Sequence, residues 1–111
     1  MRKIKYVHRA EVLSVYDGDT FHAQLDLGFR VMFQVRVRLA GIDAAELSTE
    51  AGQEAKVFLQ QILPIDTEIV CESLRLDKFG RSLAIVSLPK AKISINQQIL
   101  DAGFAVEKLK D

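Results

Sequence analysis

A single cysteine, Cys71, among 111 residues leaves no basis for a disulfide framework or a thiolate-rich zinc site. It sits in "EIVCESLRL", between strand-type residues, where a small buried hydrophobe is expected. Net charge is lacking too, since fifteen basic residues cancel fifteen acidic ones. A generic basic coat for nucleic acid is therefore not expected, because non-specific binding grows with the phosphates neutralised. Local basic faces stay open at "MRKIKYVHR" and "RVMFQVRVR". No apolar run approaches the ~20 residues of a membrane-spanning helix, so no membrane partner is expected. The N-terminal "MRKIKYVHRA" lacks the apolar stretch of a signal peptide. That predicts a cytoplasmic chain, or a secreted one if a leader has been removed. Repeats, low-complexity tracts and Gly/Ser linkers are absent, and the length suits one domain over 1–111.

What is present reads as five strands and two helices. "HRAEVLSVY" and "TFHAQLDL" flank a DGD turn signal, which suggests a hairpin. "FRVMFQVRVRLA" alternates cleanly. Val31, Phe33, Val35, Val37 and Leu39 point one way, and Arg30, Met32, Gln34, Arg36 and Arg38 the other. "EIVCESLRL" and "RSLAIVSL" form a second hairpin across "DKFG". One helix is predicted through "STEAGQEAKVFLQQIL", capped by Ser48 or Thr49 and stopped by Pro64. Its apolar stripe is Ala51, Ala55, Phe58, Leu59 and Ile62, with Gly52 weakening it slightly. The second helix is "SINQQILDAG", with Ser94 as cap and Gly103 just past its end. This order predicts an α+β, mainly β fold, and five short twisted strands can close into a small barrel.

Three polar segments carry the chemistry: "DGDT" at 17–20, "RLAGIDAAE" at 38–46 and "DKFGR" at 77–81. Each has a plain reading as turn chemistry or as acidic residues preceding a helix. Together they hold more. Two aspartates from separate strand ends suit a hard divalent cation such as calcium. Arginines hold a phosphodiester's growing negative charge through paired, directional hydrogen bonds. A spare glutamate can accept a proton from water or orient it.

In order along the chain, "VLSVYDGDTF", "VRLAGIDAAE", "AGQEAKVFL", "DKFGRSLAIV" and "NQQILDAGFA" resemble the staphylococcal nuclease-like (thermonuclease) family from about residue 10 to 106. The resemblance implies a five-stranded OB-fold barrel with packed helices. It also implies Ca²⁺-dependent hydrolysis of DNA and RNA, preferentially single-stranded, by water attack that leaves a 3′-phosphate. By motif, Asp19 and Asp43 would be the carboxylate ligands of the metal, and Ala44 would give its main-chain carbonyl. Arg38 and Arg81 would clamp the phosphate, and Glu46 would act as base or water-positioner. Thr20 would buttress the metal site, while Lys78 and Phe79 would contact substrate. Asp17 is expected to serve only the turn.

Some positions depart from the family pattern. Ala45 replaces the usual proline before Glu46, which predicts a less rigid loop. Phe79 stands where a tyrosine is common. Stacking tyrosines and a third helix have no counterpart before Asp111, so self-association or the basic "MRKIKYVHR" arm is an expected substitute. A non-catalytic OB-fold module, binding single-stranded nucleic acid or a protein, is the alternative reading. A structural role within a larger assembly is the weakest.

Overall fold

The computed structural model describes residues 6–108, so the basic arm falls mostly outside the described residues. The chain runs β1 (Tyr6–Asp17), β2 (Thr20–Asp26), β3 (Met32–Leu39), β4 (Ile42–Ala44), α1 (Glu50–Ile62), β5 (Glu68–Leu76), β6 (Ser82–Ser87), α2 (Ile95–Asp101) and β7 (Ala105–Glu107). Five strands close a barrel in the order β1-β2-β3-β6-β5, giving the α+β, mainly β architecture of an OB-fold. All neighbours in it are antiparallel except β3 and β6, which run parallel across Val37–Leu39. Closure needs β1 to serve two partners, and bulges at 12/14 and 15/17 accompany its passage from β5 to β2. Inward residues of every barrel strand fill one core, among them Val12, Phe21, Val37, Ile69 and Val86.

The third strand departs from its predicted alternation at both ends. Gly28, Phe29 and Arg30 all take positive φ, and Val31 N–H closes back on the Gly28 carbonyl at 2.9 Å. Arg30 therefore belongs to a turn. Val31 and Phe33 are exposed because β6 pairs with β3 only from Val37 onward, leaving the hairpin tip beyond the barrel wall. At the other end Arg38 is buried rather than solvent-facing.

Both helices begin at serine or threonine caps. Thr49 Oγ1 accepts from Gly52 N–H, and Ser94 Oγ from Gln97 N–H. The buried face of α1 is Gly52, Ala55 and Leu59, whereas Ala51 is exposed. Phe58 stacks on Phe104 with ring centroids 4.6 Å apart, joining α1 to the segment after α2. Two short strands were not foreseen: β4 and β7 form a separate two-stranded sheet. No helix among the described residues is long and apolar enough to cross a membrane.

Asn96 locks α2 onto this frame from a buried position. Its Oδ1 accepts from Val86 N–H at 2.9 Å, and its Nδ2 donates to Ala40 and Ala84 carbonyls at 2.8 and 3.1 Å. The Ala84 carbonyl also accepts from Ala40 N–H, so Asn96→Ala would strand the Val86 N–H and the Ala40 carbonyl, at about 1–3 kcal/mol for each one left unpaired. A drop of about 10 °C or more in Tm is expected by circular dichroism for a domain of this size.

Candidate active site

The site is assembled around the β1–β2 turn. Asp17 Oδ1 accepts from Asp19 N–H at 3.1 Å, an Asx-type bond that sets the turn. Gly18 is buried there, and a Cβ on it would lie 2.6 Å from Ala55 Cβ and 2.9 Å from Ala44 Cβ. Only glycine lets the turn press between α1 and β4. That approach delivers Asp19, which is 7% exposed, against β4. Its Oδ2 accepts from Ala44 N–H at 2.9 Å, and its Oδ1 from the Thr20 hydroxyl at 3.1 Å.

Arg38 faces Thr20 in the β2–β3 register, and its side chain is folded into the rim of the barrel. Gly41, at φ +77°, turns the chain from β3 into β4. The turn brings two carbonyls to one nitrogen: Arg38 Nη1 donates to Leu39 O at 2.8 Å and Ile42 O at 2.9 Å. Nη2 donates to Asp43 Oδ1 at 3.2 Å and lies 3.5 Å from Asp19 Oδ2. One guanidinium nitrogen thus stands between the two carboxylates. Asp19 is enclosed, whereas the Asp43 side chain is 58% exposed and open to solvent.

The turn also holds its first carboxylate partly out of water. Burial, then the hydrogen bond and charge of Asp19, push the Asp17 carboxyl up to about 6. Asp17 thus shapes the turn, as expected, next to the charge of Asp19. Cys71, by contrast, is held inert in the core, its thiol pushed up to about 12 by burial.

"DKFGR" forms a second, cationic wall. Gly80 takes φ +78°, and Asp77 Oδ1 accepts from Phe79 and Arg81 N–H at 2.9 and 3.0 Å. Asp77 Oδ2 accepts from Arg81 Nε at 2.7 Å. Partial burial opposes ionisation, but the backbone and guanidinium bonds from Arg81 and the Phe79 N–H together hold Asp77 below the usual carboxylate range. The sign of the pH effect follows. The stabilisation from Asp77 is complete above its unfolded value near ~4 and disappears as pH falls through the lower folded value. Asp77→Asn should therefore lower the urea midpoint by a constant amount from pH 5 to 8, and the gap to wild type should close in acid.

Lys78 Nζ and Arg81 Cζ lie 5.2 and 5.4 Å from the centre of the exposed Phe79 ring. Lys78, Phe79 and Arg81 share with Arg38 a cavity of about 240 Å³. A separate cleft of about 400 Å³ is lined by Asp43, Ala44, Glu54 and Phe104.

Glu46 stands apart from this cluster. Its carboxylate is exposed and has no hydrogen bond or ion pair among the described residues. Its backbone is well held even without a preceding proline. Glu46 O accepts from Thr49 N–H at 2.9 Å and from the Thr49 hydroxyl at 2.6 Å, and Gln53 Nε2 donates to Leu47 O. Gly52 completes the seat, since a Cβ there would overlap the Glu46 carbonyl. Sequence reasoning treated Gly52 only as a weak helix former. By propensity, Gly52→Ala would stabilise the helix by about 1 kcal/mol. The overlap reverses that sign: stability should fall by about 1–3 kcal/mol, read from the urea midpoint, as the Glu46 loop is forced outward.

The structure therefore joins Asp19, Thr20, Arg38, Asp43 and Ala44 directly, and joins Lys78, Phe79 and Arg81 to Arg38 through a shared cavity. It links Glu46 and Arg81 to the paired aspartates by no bond among the described residues. The histidines lie outside this set, His22 pairing with Ser14. Sequence reasoning missed Arg75 and Lys108, which line the cationic cavity from β5 and from just past β7. Neither carries a local motif that would have singled it out.

Two comparisons bear on this site. The family model for Staphylococcal nuclease homologue matches residues 36–111. Micrococcal nuclease of Shigella flexneri is 33% identical over 81 residues, which is 73% of this chain and 43% of that protein. The chain thus spans less than half the length of that curated relative.

Proposed function

Since the chain belongs to the staphylococcal nuclease homologue family, we propose that it hydrolyses phosphodiester bonds of DNA or RNA, with calcium as its metal and 3′-phosphate ends as its products. The observation that carries this reading is the Arg38 guanidinium set between the Asp19 and Asp43 carboxylates at the rim of a cationic cavity.

The donor set fits a hard cation. Asp19 and Asp43 supply anionic oxygens, and the Ala44 carbonyl is available as well. Lys108 N–H donates to Gly41 O, which fixes the alternation of the β4–β7 ladder and puts Ala44 at a non-hydrogen-bonded position. Among the described residues no third acidic or histidine side chain joins the pair, so water would complete the oxygen shell. Calcium bound there would supply Lewis-acid stabilisation of charge on a phosphoryl oxygen.

The protein's own groups divide the remaining work. Thr20 and Ala44 N–H fix the Asp19 carboxylate through its two oxygens. Arg38, rigidly held by two carbonyls, presents fixed positive charge at the cavity where a phosphate would sit. Asp77 uses Arg81 Nε and leaves both Nη groups without a partner among the described residues, so they can bind phosphate in pairs. Both arginines act most strongly as negative charge grows during attack. The unpaired Glu46 carboxylate receives the proton of the attacking water or orients that water.

The test is incubation of the full chain with single-stranded DNA and RNA, in calcium or in chelator, followed by phosphatase treatment of the ends. Calcium-dependent fragments with phosphatase-sensitive 3′ ends are expected. Intact substrate that is still bound in a salt-sensitive manner would replace the enzyme by a binding module.

A further inference from the structure

The cavity beside Arg38 holds more positive charge than one phosphate requires. Arg38, Arg75, Lys78, Arg81 and Lys108 line it, against the single carboxylate of Asp77. Asp77 is committed to Arg81, and Arg38 is shared by Asp19 and Asp43. Arg75, Lys78 and Lys108 have no acidic partner among the described residues. In a chain with no net charge, such a local excess makes this face an attractive place for an anion.

Both unassigned cations are carried on ordered backbone. Arg75 follows a β-bulge where β5 slips register against β6, between Ser73 and Arg75, and bulges commonly re-aim side chains beside sites. Lys108 is tethered by its N–H to Gly41 O at 2.9 Å, across from the turn that shapes the Arg38 pocket. At about 240 Å³ the cavity is smaller than the ~300 Å³ at which pockets begin to enclose small-molecule ligands. It suits sugar-phosphate backbone, leaving the base outside against the Phe79 ring, which is 63% exposed.

We propose that Arg75 and Lys108 form a second phosphate subsite, which binds the phosphodiester next to the one held by Arg38 and Arg81 in a single nucleic-acid strand. This rests on the reading that the Arg38–Arg81 cavity takes the reacting phosphate.

Fluorescence anisotropy in chelator tests it without turnover, using a labelled oligothymidylate of about ten nucleotides across a salt series. Arg75→Ala with Lys108→Ala should make the slope of log K against log salt shallower by about 0.7–1, one phosphate's worth. Arg75→Lys with wild-type Lys108 should keep the wild-type slope. An unchanged slope in the double alanine variant, with wild-type protein still binding and cleaving, overturns the subsite and leaves the nuclease reading intact. Wild-type protein that neither binds nor cleaves the strand overturns both.

Discussion

Arg38→Lys should lower the rate of calcium-dependent strand cleavage by about 100- to 1,000-fold, although it keeps the charge. The reason lies in the number of directions that the guanidinium must serve at once. Nη1 is committed to two carbonyls, and Nη2 to Asp43 with Asp19 close by. A lysine ammonium is one point with three donors, and it cannot span both sets from a position only 5% exposed. Its nitrogen would satisfy the carbonyls or the carboxylates but not both, so the positive charge would no longer be held fixed at the cavity rim. The measurement is kcat on single-stranded DNA at saturating calcium, with thermal melting as a check that the variant is folded. Turnover near the wild-type value would remove Arg38 from the mechanism.

Asp19 offers the second large effect, and two substitutions separate its two duties. Asp19→Asn keeps an oxygen that can accept from Ala44 N–H, yet removes the negative charge that attracts a cation. Calcium dependence of cleavage should shift to concentrations about 100-fold higher or more, since affinity at such sites follows ligand charge. Asp19→Ala should abolish cleavage and also remove the partner of the half-buried Ala44 N–H, costing up to about 1–3 kcal/mol. Calcium titrations of activity and urea midpoints together distinguish the two. Wild-type calcium dependence in Asp19→Ala would defeat the assignment of this carboxylate to the metal.

Much of this architecture could be read before any coordinates. The five barrel strands were visible because alternation survives wherever one face is buried, as in Phe21, Ala23 and Leu25 of β2. The helices announced themselves by their caps, and Thr49 and Ser94 do accept the expected bonds. The motifs placed Asp19, Arg38 and Asp43 on one list, and in the structure these three side chains meet.

What escaped the sequence was mostly tertiary. Three-residue strands such as β4 and β7 are too short to show a period, so their pairing was invisible. The burial of Arg38 breaks the period-two rule because the turn at Gly41 folds carbonyls over the guanidinium. Gly18 and Gly52 looked like turn and helix-weakening residues, and their real constraint comes from atoms dozens of positions away or across a loop. Asn96, a polar residue in an apolar stripe, gave no sign that it bonds a carbonyl at Ala40.

The pairing of β4 with β7 has a consequence in time. Asp43 sits on a strand whose ladder partner, Ala105–Glu107, is made more than sixty residues later. A domain of this size folds as one cooperative unit, so the placement of Asp43 beside Asp19 and Arg38 waits on the chain through Glu107.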